Sequence, residues 1–353
     1  MRRLIDFCQM NVRGRTAMVT SCLWLSIVAQ NSWSTEFVVY QGAEGAGNGK
    51  HVVLLTGDEE YRSEEGLVQL AKILAFRHGF RATVLFAIDP ESGTINPNVN
   101  DSLPGAEVLE SADAMVLGLR FRYYPDEIME LFIDAYLSGK PIVAVRTSTH
   151  AFKYPADSRS TYTRYSFRST EWPGGFGRQV LGETWIGHLG KNHQEATRGI
   201  PCVDAKDHPL LGGVGEVFAA SGAYKANPIP DSTILMHGQV LAGMTPDSPP
   251  ETGGKNESLQ PVVWSREHKN EAGNTNRVLC TTMGAATDLL DANLRRLLVN
   301  GVYWGLEMEV PQRVDVRLVG DYQPTDYSFD GFRKNVRPGD LAMTAEEAFS
   351  KVE

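Results

Sequence analysis

The sequence predicts an α/β fold: a flavodoxin-like, doubly wound, mainly parallel sheet with helices on both faces. Three short apolar runs are typical of buried strands, at His51–Thr56, Ala114–Leu119 and Ile142–Val145. Stretches of helical period lie between them, and strands that alternate with helices at this spacing favour a parallel sheet. With 353 residues and 42% hydrophobic content, the chain can bury a large core in one or two domains.

The N-terminus is typical of an export signal. Four arginines precede an apolar stretch from Ala17 to Ala29, and small polar residues follow it. The stretch is shorter and richer in hydroxyl groups than is typical of a membrane-spanning helix. We therefore expect residues 1–34 to be a signal peptide that directs export to the periplasm or the outside of the cell. An uncleaved N-terminal anchor and a transit peptide are the alternatives, and Met10 is an alternative start.

The first half of the chain gives the predicted strand–helix order. Residues 35–50 end in a glycine-rich run and are expected to be a flexible linker. Ser63 is expected to cap a first helix, and Ala82–Phe86 to be the next strand. Pro125 is expected to open a second helix that stops at Gly139.

The second half is expected to complete one domain over residues 51–311. Residues 153–199 are predicted to be irregular, and a loop of this length is usually functional or a lid. A strong helical pattern covers Ala292–Leu306, and residues 312–353 are expected to wrap the surface as a tail. Four strands are predicted between the irregular stretch and this helix, the last two of them as a hairpin: Val217–Ala220, Ile234–Val240, Pro261–Trp264 and Arg277–Thr282.

Polar side chains follow three of the predicted strands directly. Ligands of open α/β sheets bind beyond the carboxyl ends of the strands, so these side chains are expected to form a site. The alternative is an ordinary turn in which a hydroxyl group caps the next helix and Arg146 makes a structural ion pair. The residues expected at this edge are Tyr61, Arg62, Glu64, Arg120, Arg122, Arg146, Thr147 and His150.

Charge, cysteines and histidines narrow the possible partners. The formal net charge is −9 and no run of lysines and arginines occurs, which argues against nucleic acid and, apart from the leader, against membranes. Cys202 and Cys280 remain after the leader, and two buried thiols are favoured over one disulfide. His188 and His193 have no metal-motif spacing, so no metal or cofactor is expected; zinc is the alternative.

With these segments in place, the chain resembles the ThuA-like (trehalose utilisation) family of the class I glutamine amidotransferase-like superfamily. The resemblance lies in the first strand and its loop (HVVLLTGDEEYRS), the turn VAVRTSTHAF and the C-terminal run that ends at Pro311. Asp207–Leu210 together with Tyr224 match a further family block. The segments GETWIGHLGKNH and SFDGFRKNVRPGDL resemble segments of an exported bacterial subset of this family.

The resemblance also implies what the chain does not do. An amidotransferase of this superfamily needs a cysteine at the turn after the central strand, and Arg146 occupies that position. Arginine cannot act as a nucleophile, because its guanidinium stays protonated. We therefore expect no glutaminase activity.

The function that the resemblance implies is an exported enzyme of carbohydrate catabolism, a hydrolase or a lyase that acts on a trehalose-like or modified sugar. A non-catalytic protein that binds a sugar or an anion is the alternative, and a homo-oligomer is an open expectation. Arg146 would stabilise negative charge on oxygen, and His150 or His188 would transfer a proton. The expected catalytic residues are Arg146, Thr147, His150 and His188; the expected residues for the sugar or sugar-acid ligand are Tyr61, Arg62, Glu64, Arg120, Arg122, Trp185, His193 and Tyr224.

Overall fold

Ten strands form one mixed sheet in the computed structural model, which describes residues 36–42 and 44–349. Their order across the sheet is β1-β3-β2-β4-β5-β10-β9-β8-β6-β7. The strands are β1 Phe37–Gln41, β2 His51–Gly57, β3 Arg81–Leu85, β4 Ala114–Leu119, β5 Ile142–Val145, β6 Thr197–Pro201, β7 Val217–Ala219, β8 Thr233–Val240, β9 Gln260–Lys269 and β10 Thr275–Thr281.

The α/β class is confirmed, but the prediction of a mainly parallel sheet holds for only half of the strands. β3, β2, β4, β5 and β10 run parallel to one another. All other described neighbours pair antiparallel. The connection from β9 to β10 is too short for the crossover of a dozen or more residues that a parallel pair needs, so the chain must return antiparallel.

Helices pack on both faces of the sheet. α1 (Ser63–His78) and α3 (Ala292–Gly305) share one hydrophobic core with Val52 and Leu54 of β2. α2 (Asp126–Leu137) lies in a second core, which contains the intervening residues Val53 and Leu55. This alternation follows from the two-residue period of a strand, and it explains why β2 is apolar along nearly its whole length.

The predicted linker over residues 35–50 is wrong in its first part, which is a strand. β1 pairs antiparallel with β3 and buries Val38 and Tyr40. Gly42 then passes so close to the backbone of Gly79 that a Cβ atom would lie 2.3 Å from the Gly79 carbonyl carbon. The predicted leader over residues 1–34 lies outside the described residues.

Other differences concern local structure. Ser63 begins α1, but its hydroxyl accepts a hydrogen bond from the backbone N–H of Gly57 and caps no helix. β6 lies at the end of the stretch predicted to be irregular. The C-terminal tail adds a short helix, α4 (Ala345–Phe349), and the buried side chains of Val314, Val316 and Val319 to the first core. None of the helices in the described part is long and apolar enough to span a bilayer.

Candidate functional site

The loops after β2, β4 and β5 each contain one non-glycine residue in the left-handed region. Their φ angles are 57° at Arg62, 55° at Phe121 and 48° at Arg146. Such a conformation costs about 1–3 kcal/mol and persists where the surrounding contacts fix it, which is frequent at functional sites. Because these strands are parallel, their loops meet at one edge of the sheet.

Arg146 is the centre of this edge and is 1% exposed. Its Nη1 atom donates to the carbonyl oxygens of Gly222 (2.8 Å) and Thr282 (2.7 Å), and Nη2 donates to the Tyr61 hydroxyl (3.0 Å). The rings of Tyr61 and Tyr224 cover its two faces. The structure therefore uses the guanidinium to join three loops, which differs both from the expected stabiliser of substrate charge and from the alternative of an ion pair.

Arg62 and Arg122 are fully buried in the same way. Arg62 Nη2 donates to the carbonyl oxygens of Glu59 (2.8 Å), Glu60 (3.2 Å) and Ser328. Arg122 donates to three carbonyl oxygens and to the Glu59 carboxylate at 2.9 Å. Both side chains shape the loops of the edge, and their placement does not fit the substrate contact expected for them.

The hydroxyl groups after β5 have different partners. Thr147 donates to the carboxylate of Asp58 at 2.5 Å, and Ser148 donates to the carbonyl oxygen of Leu117 at 2.8 Å. Thr149 contacts Nδ1 of His150 at 3.2 Å. Thr147 therefore lies beside a carboxylate rather than a histidine, and Thr149 is the hydroxyl group next to an imidazole.

His150, Trp185, His188 and Tyr224 form an aromatic cluster over Arg146. The ring of His150 lies 5.3 Å from Trp185 and 6.1 Å from Tyr224, and His188 lies 5.0 Å from Tyr224. A backbone bridge between His188 and Tyr224 brings the long loop to this position. The structure thus brings together four residues that the sequence predicted for one site.

Both imidazoles of this cluster are held neutral. Burial, followed by the positive charges of Arg120 and Arg146, lowers the pKa of His150 well below its usual value. Burial also lowers the pKa of His188, to about 4, and here the charge of Arg146 contributes more than that of Arg120. At neutral pH each ring therefore offers one N–H donor and one nitrogen acceptor.

Four ring nitrogens of the cluster lack hydrogen-bond partners among the described residues: one each on Trp185 and His150, and both on His188. The buried Nε1 atom of Trp185 makes no hydrogen bond. The His150 ring uses only Nδ1, and the ring of His188 makes no hydrogen bond. Buried polar groups are normally hydrogen-bonded, and the Trp185 nitrogen is the buried one of this set, whereas His188 is exposed. The indole N–H and the free imidazole nitrogens together suit a ligand that both donates and accepts.

Two carboxylates that the sequence analysis missed complete the polar side of the edge. Arg120 pairs with Glu59 at 3.1 Å and with Glu60 at 3.5 Å. Burial raises the pKa of both carboxyl groups, and the arginines oppose this only in part. Their position in the loop directly after the first predicted strand was a usable signal, because that loop already supplied Tyr61 and Arg62.

The C-terminal segment supplies one wall of the site. Tyr327 stacks between Tyr61 at 5.1 Å and His193 at 4.3 Å, and Phe329 lies over Arg120 at 5.1 Å. Asn192 donates to the Tyr61 hydroxyl at 2.6 Å. His193 is therefore close to the site through Tyr327. Phe329 lies in the segment SFDGFRKNVRPGDL that the resemblance singled out, but neither it nor Tyr327 was predicted as a site residue.

Glu64 lies apart from the rest of the predicted residues. It lines a cavity of about 310 Å³ between α1 and the C-terminal segment, and no other predicted site residue lines that cavity.

Within the described ranges, no three His, Cys, Asp or Glu side chains group so that they could hold a metal ion. Cys202 and Cys280 are both free thiols.

Comparisons with known proteins add structural neighbours. No family profile matches the chain, and no curated protein matches it. A protein described as ThuA-like from Parabacteroides merdae is 16% identical, with 79% of this chain and 97% of that chain covered and a TM-score of 0.45. A second one from Bacteroides uniformis is 15% identical, with coverages of 75% and 94% and a TM-score of 0.42.

A cytoplasmic protein of Salmonella typhimurium is a third neighbour, at 11% identity, coverages of 72% and 98% and a TM-score of 0.41. Proteins described as ThuA-like are thus among the solved structures to which this chain is similar.

Proposed function

We propose that the chain is an exported ThuA-like protein with a doubly wound, flavodoxin-like core, and that it binds and processes a neutral sugar at the strand-end site. The sequence motifs after β2 and β5 and the run that ends at Pro311 support the family. The charged and apolar pattern of residues 1–34 supports export. N-terminal sequencing of the protein from culture medium or periplasm tests export directly.

The observation that carries the ligand class is the set of unpartnered nitrogens on Trp185, His150 and His188 beside two carboxylates. Each sugar hydroxyl donates one hydrogen bond and accepts others. Glu59 and Glu60 would accept from such hydroxyls, and the indole N–H would donate to one. The half-buried ring of Trp185 supplies an apolar surface for the C–H face of a sugar.

A sugar acid fits this site less well than a neutral sugar. The anion would need free guanidinium forks, yet Arg62, Arg122 and Arg146 donate to carbonyl oxygens or to groups of the site itself. Arg120 pairs with two carboxylates. The binding of anions by these arginines, the alternative drawn from the sequence, therefore has less support.

His150 is the residue that we expect to move a proton. Its neutral ring can accept a proton through Nε2, because Nδ1 faces Thr149 and Nε2 makes no other hydrogen bond within the described residues. His188 is a second neutral imidazole in the same cluster. A hydrolase and a lyase both need such a transfer, so the reaction type is for product analysis to decide.

The test combines binding and turnover. Calorimetry of the purified protein with trehalose, glucose and glucuronate should give binding of a neutral sugar in preference to glucuronate, and Trp185→Phe should weaken it, since phenylalanine keeps an apolar ring and removes the N–H donor. His150→Gln should bind the sugar and form no product. If His150→Gln turns the sugar over as the wild type does, His150 has no part in the reaction. Preference for glucuronate would overturn the choice of a neutral sugar.

A further inference from the structure

The irregular stretch after β5 contains a cavity beside the strand-end site. Its volume is about 670 Å³, within the range of small-molecule sites, and its walls come from residues 153–171. Phe167 connects it to the strand-end site, because Phe167 lines the cavity and its ring lies 6.0 Å from the ring of His150. None of the residues proposed to contact the sugar lines this cavity. It is therefore a separate candidate site.

The charged side chains of the cavity favour an anion. Lys153, Arg164 and Arg168 line it, against the single carboxylate of Glu171. Arg164 is already paired with Glu271 at 3.2 Å. The side chains of Lys153 and Arg168 are exposed, and they make no ion pair or hydrogen bond with a described residue. Two accessible cations therefore remain for a ligand.

Aromatic rings hold both of these cations in place. The guanidinium carbon of Arg168 lies 5.0 Å from the centre of the Phe167 ring, and Nζ of Lys153 lies 4.9 Å from the centre of the Phe121 ring. Such a contact attracts a cation by about 0.5–1 kcal/mol at an exposed position. A guanidinium that lies over a ring keeps the N–H groups along its edge free to bind the oxygens of an anion. The two cations are thus positioned without being neutralised.

Three serine hydroxyl groups of the same cavity have no acceptor within the described residues. Each oxygen accepts a hydrogen bond from a backbone N–H: Ser158 from Ser160 (3.2 Å), Ser166 from Tyr154 (3.0 Å) and Ser169 from Trp172 (3.2 Å). An accepted hydrogen bond polarises the O–H group, which is left to donate to a ligand. All three residues are partly exposed and line the cavity, so a ligand there can reach them.

We propose that this cavity is a second binding site, which takes a small organic phosphate or sulfate ester and holds its tetrahedral anion at Lys153, Arg168 and the serine hydroxyl groups. Pro155, Ala156 and Phe167 line the same cavity and contact the organic part of the ligand. A cavity of about 670 Å³ also exceeds what an inorganic anion fills, since a water molecule takes about 30 Å³ in the liquid. The site is independent of the proposed sugar site.

The experiment uses the full chain and four probes: phenyl phosphate, phenyl sulfate, phenol and inorganic phosphate. Calorimetry should give binding of an ester that is about tenfold or more tighter than that of phenol or of inorganic phosphate. The ester that binds more tightly identifies the anion as phosphate or sulfate. No binding of either ester, or binding of phenol as tight as that of the esters, would overturn the proposal. Tightest binding of inorganic phosphate would overturn the organic ligand.

Two variants locate the ester. Arg168→Gln should weaken its binding about fivefold or more, whereas Arg159→Gln, which removes an exposed arginine outside the lining, is the matched control and should leave it unchanged. Glu171→Gln should tighten the binding about twofold, because it removes the one carboxylate of the lining. All three side chains are exposed, so the variants should fold. Unchanged affinity in Arg168→Gln, or an equal loss in Arg159→Gln, would contradict the site.

Competition separates this site from the strand-end site. Excess trehalose should not displace the ester, and Arg168→Gln should keep the wild-type affinity for trehalose. Displacement by trehalose would assign the ester to the strand-end site and overturn the second site. If trehalose and the other sugars do not bind at all, the sugar proposal fails while the result with the ester stands.

Discussion

The guanidinium carbon of Arg146 lies 4.1 Å from the centre of the Tyr224 ring, and the Tyr61 ring covers its opposite face at 4.3 Å. Arg146 stands at the turn directly after β5. Its backbone keeps the left-handed conformation of a strained strand-to-helix turn. The strained turn here presents a cation that holds loops together rather than a group that attacks a substrate.

Replacement of Arg146 by lysine should therefore destabilise the fold. Lysine ends in one nitrogen at the position of the guanidinium carbon, one bond short of Nη1 and Nη2. It therefore cannot reach the Gly222 and Thr282 carbonyls and the Tyr61 hydroxyl together, and it has no planar face to lie between two rings. Buried carbonyls without donors should lower the free energy of unfolding by about 2–4 kcal/mol. Urea unfolding of Arg146→Lys measures this, and the exposed Arg159→Lys is the control. A loss below that of the control would contradict the joining role.

Acid should destabilise the protein from about pH 6.5 downwards, the usual histidine pKa in an unfolded chain. Burial, with the charge of Arg81, lowers the pKa of His51 to about 4. Between pH 6.5 and pH 4 the unfolded state therefore binds a proton that the folded state does not bind. The stabilising contribution of the neutral His51 is thus fully present above pH 6.5 and is lost as the pH falls towards 4.

His51→Gln isolates this contribution. At pH 8 the variant should be less stable than the wild type, since His51 hydrogen-bonds Thr83 at 2.8 Å. At pH 5 the gap should narrow by about 2 kcal/mol, because glutamine takes up no proton. Chemical unfolding at both pH values gives the two gaps, and a constant gap would contradict the linkage.

Glu64 should act in the opposite direction. Its pKa is raised to about 7 in the folded protein, mainly by burial, whereas an unfolded glutamate ionises near pH 4.3. Its contribution is present below pH 4.3 and is lost as the pH rises through 7. Glu64→Gln should therefore gain about 2 kcal/mol relative to the wild type between pH 5 and pH 8. A relative stability that does not change with pH would show that the carboxyl group ionises normally.

The sequence allowed the parallel half of the sheet to be predicted, because buried strands such as β2 and β4 are apolar at every position or nearly so. β1 was not predicted, because it is only five residues long and stands directly before a glycine-rich run. Its alternation was nevertheless present, since Val38 and Tyr40 are its buried residues.

The position of the candidate site could be predicted as well, but the roles of its arginines could not. Arg146 differs from a ligand-binding arginine only through the carbonyl oxygens of Gly222 and Thr282, which lie 76 and 136 residues further along the chain. No local pattern records such partners. His150 and His188 came together as expected because a strand end and a long loop are both usual places for site residues.

The C-terminal segment offers the last test, a pair of aromatic residues two positions apart with opposite exposure. Tyr327 is 2% exposed and lies between Tyr61 and His193, whereas Phe329 is 59% exposed over Arg120. Tyr327→Ala should lower the free energy of unfolding by about 3 kcal/mol, because it opens a cavity and removes the hydroxyl that donates to Ala220. Phe329→Ala should change it by less than about 0.5 kcal/mol.

Both variants should also be assayed for sugar binding. Tyr327→Ala should weaken it, since Tyr61 and the loop of Asn192 lose their support. Tyr327→Phe keeps the stacked ring and should restore most of the stability and the affinity. Equal losses in Tyr327→Phe and Tyr327→Ala would assign the effect to the hydroxyl group. Full affinity in a folded Tyr327→Ala would mean that the C-terminal segment is no part of the site.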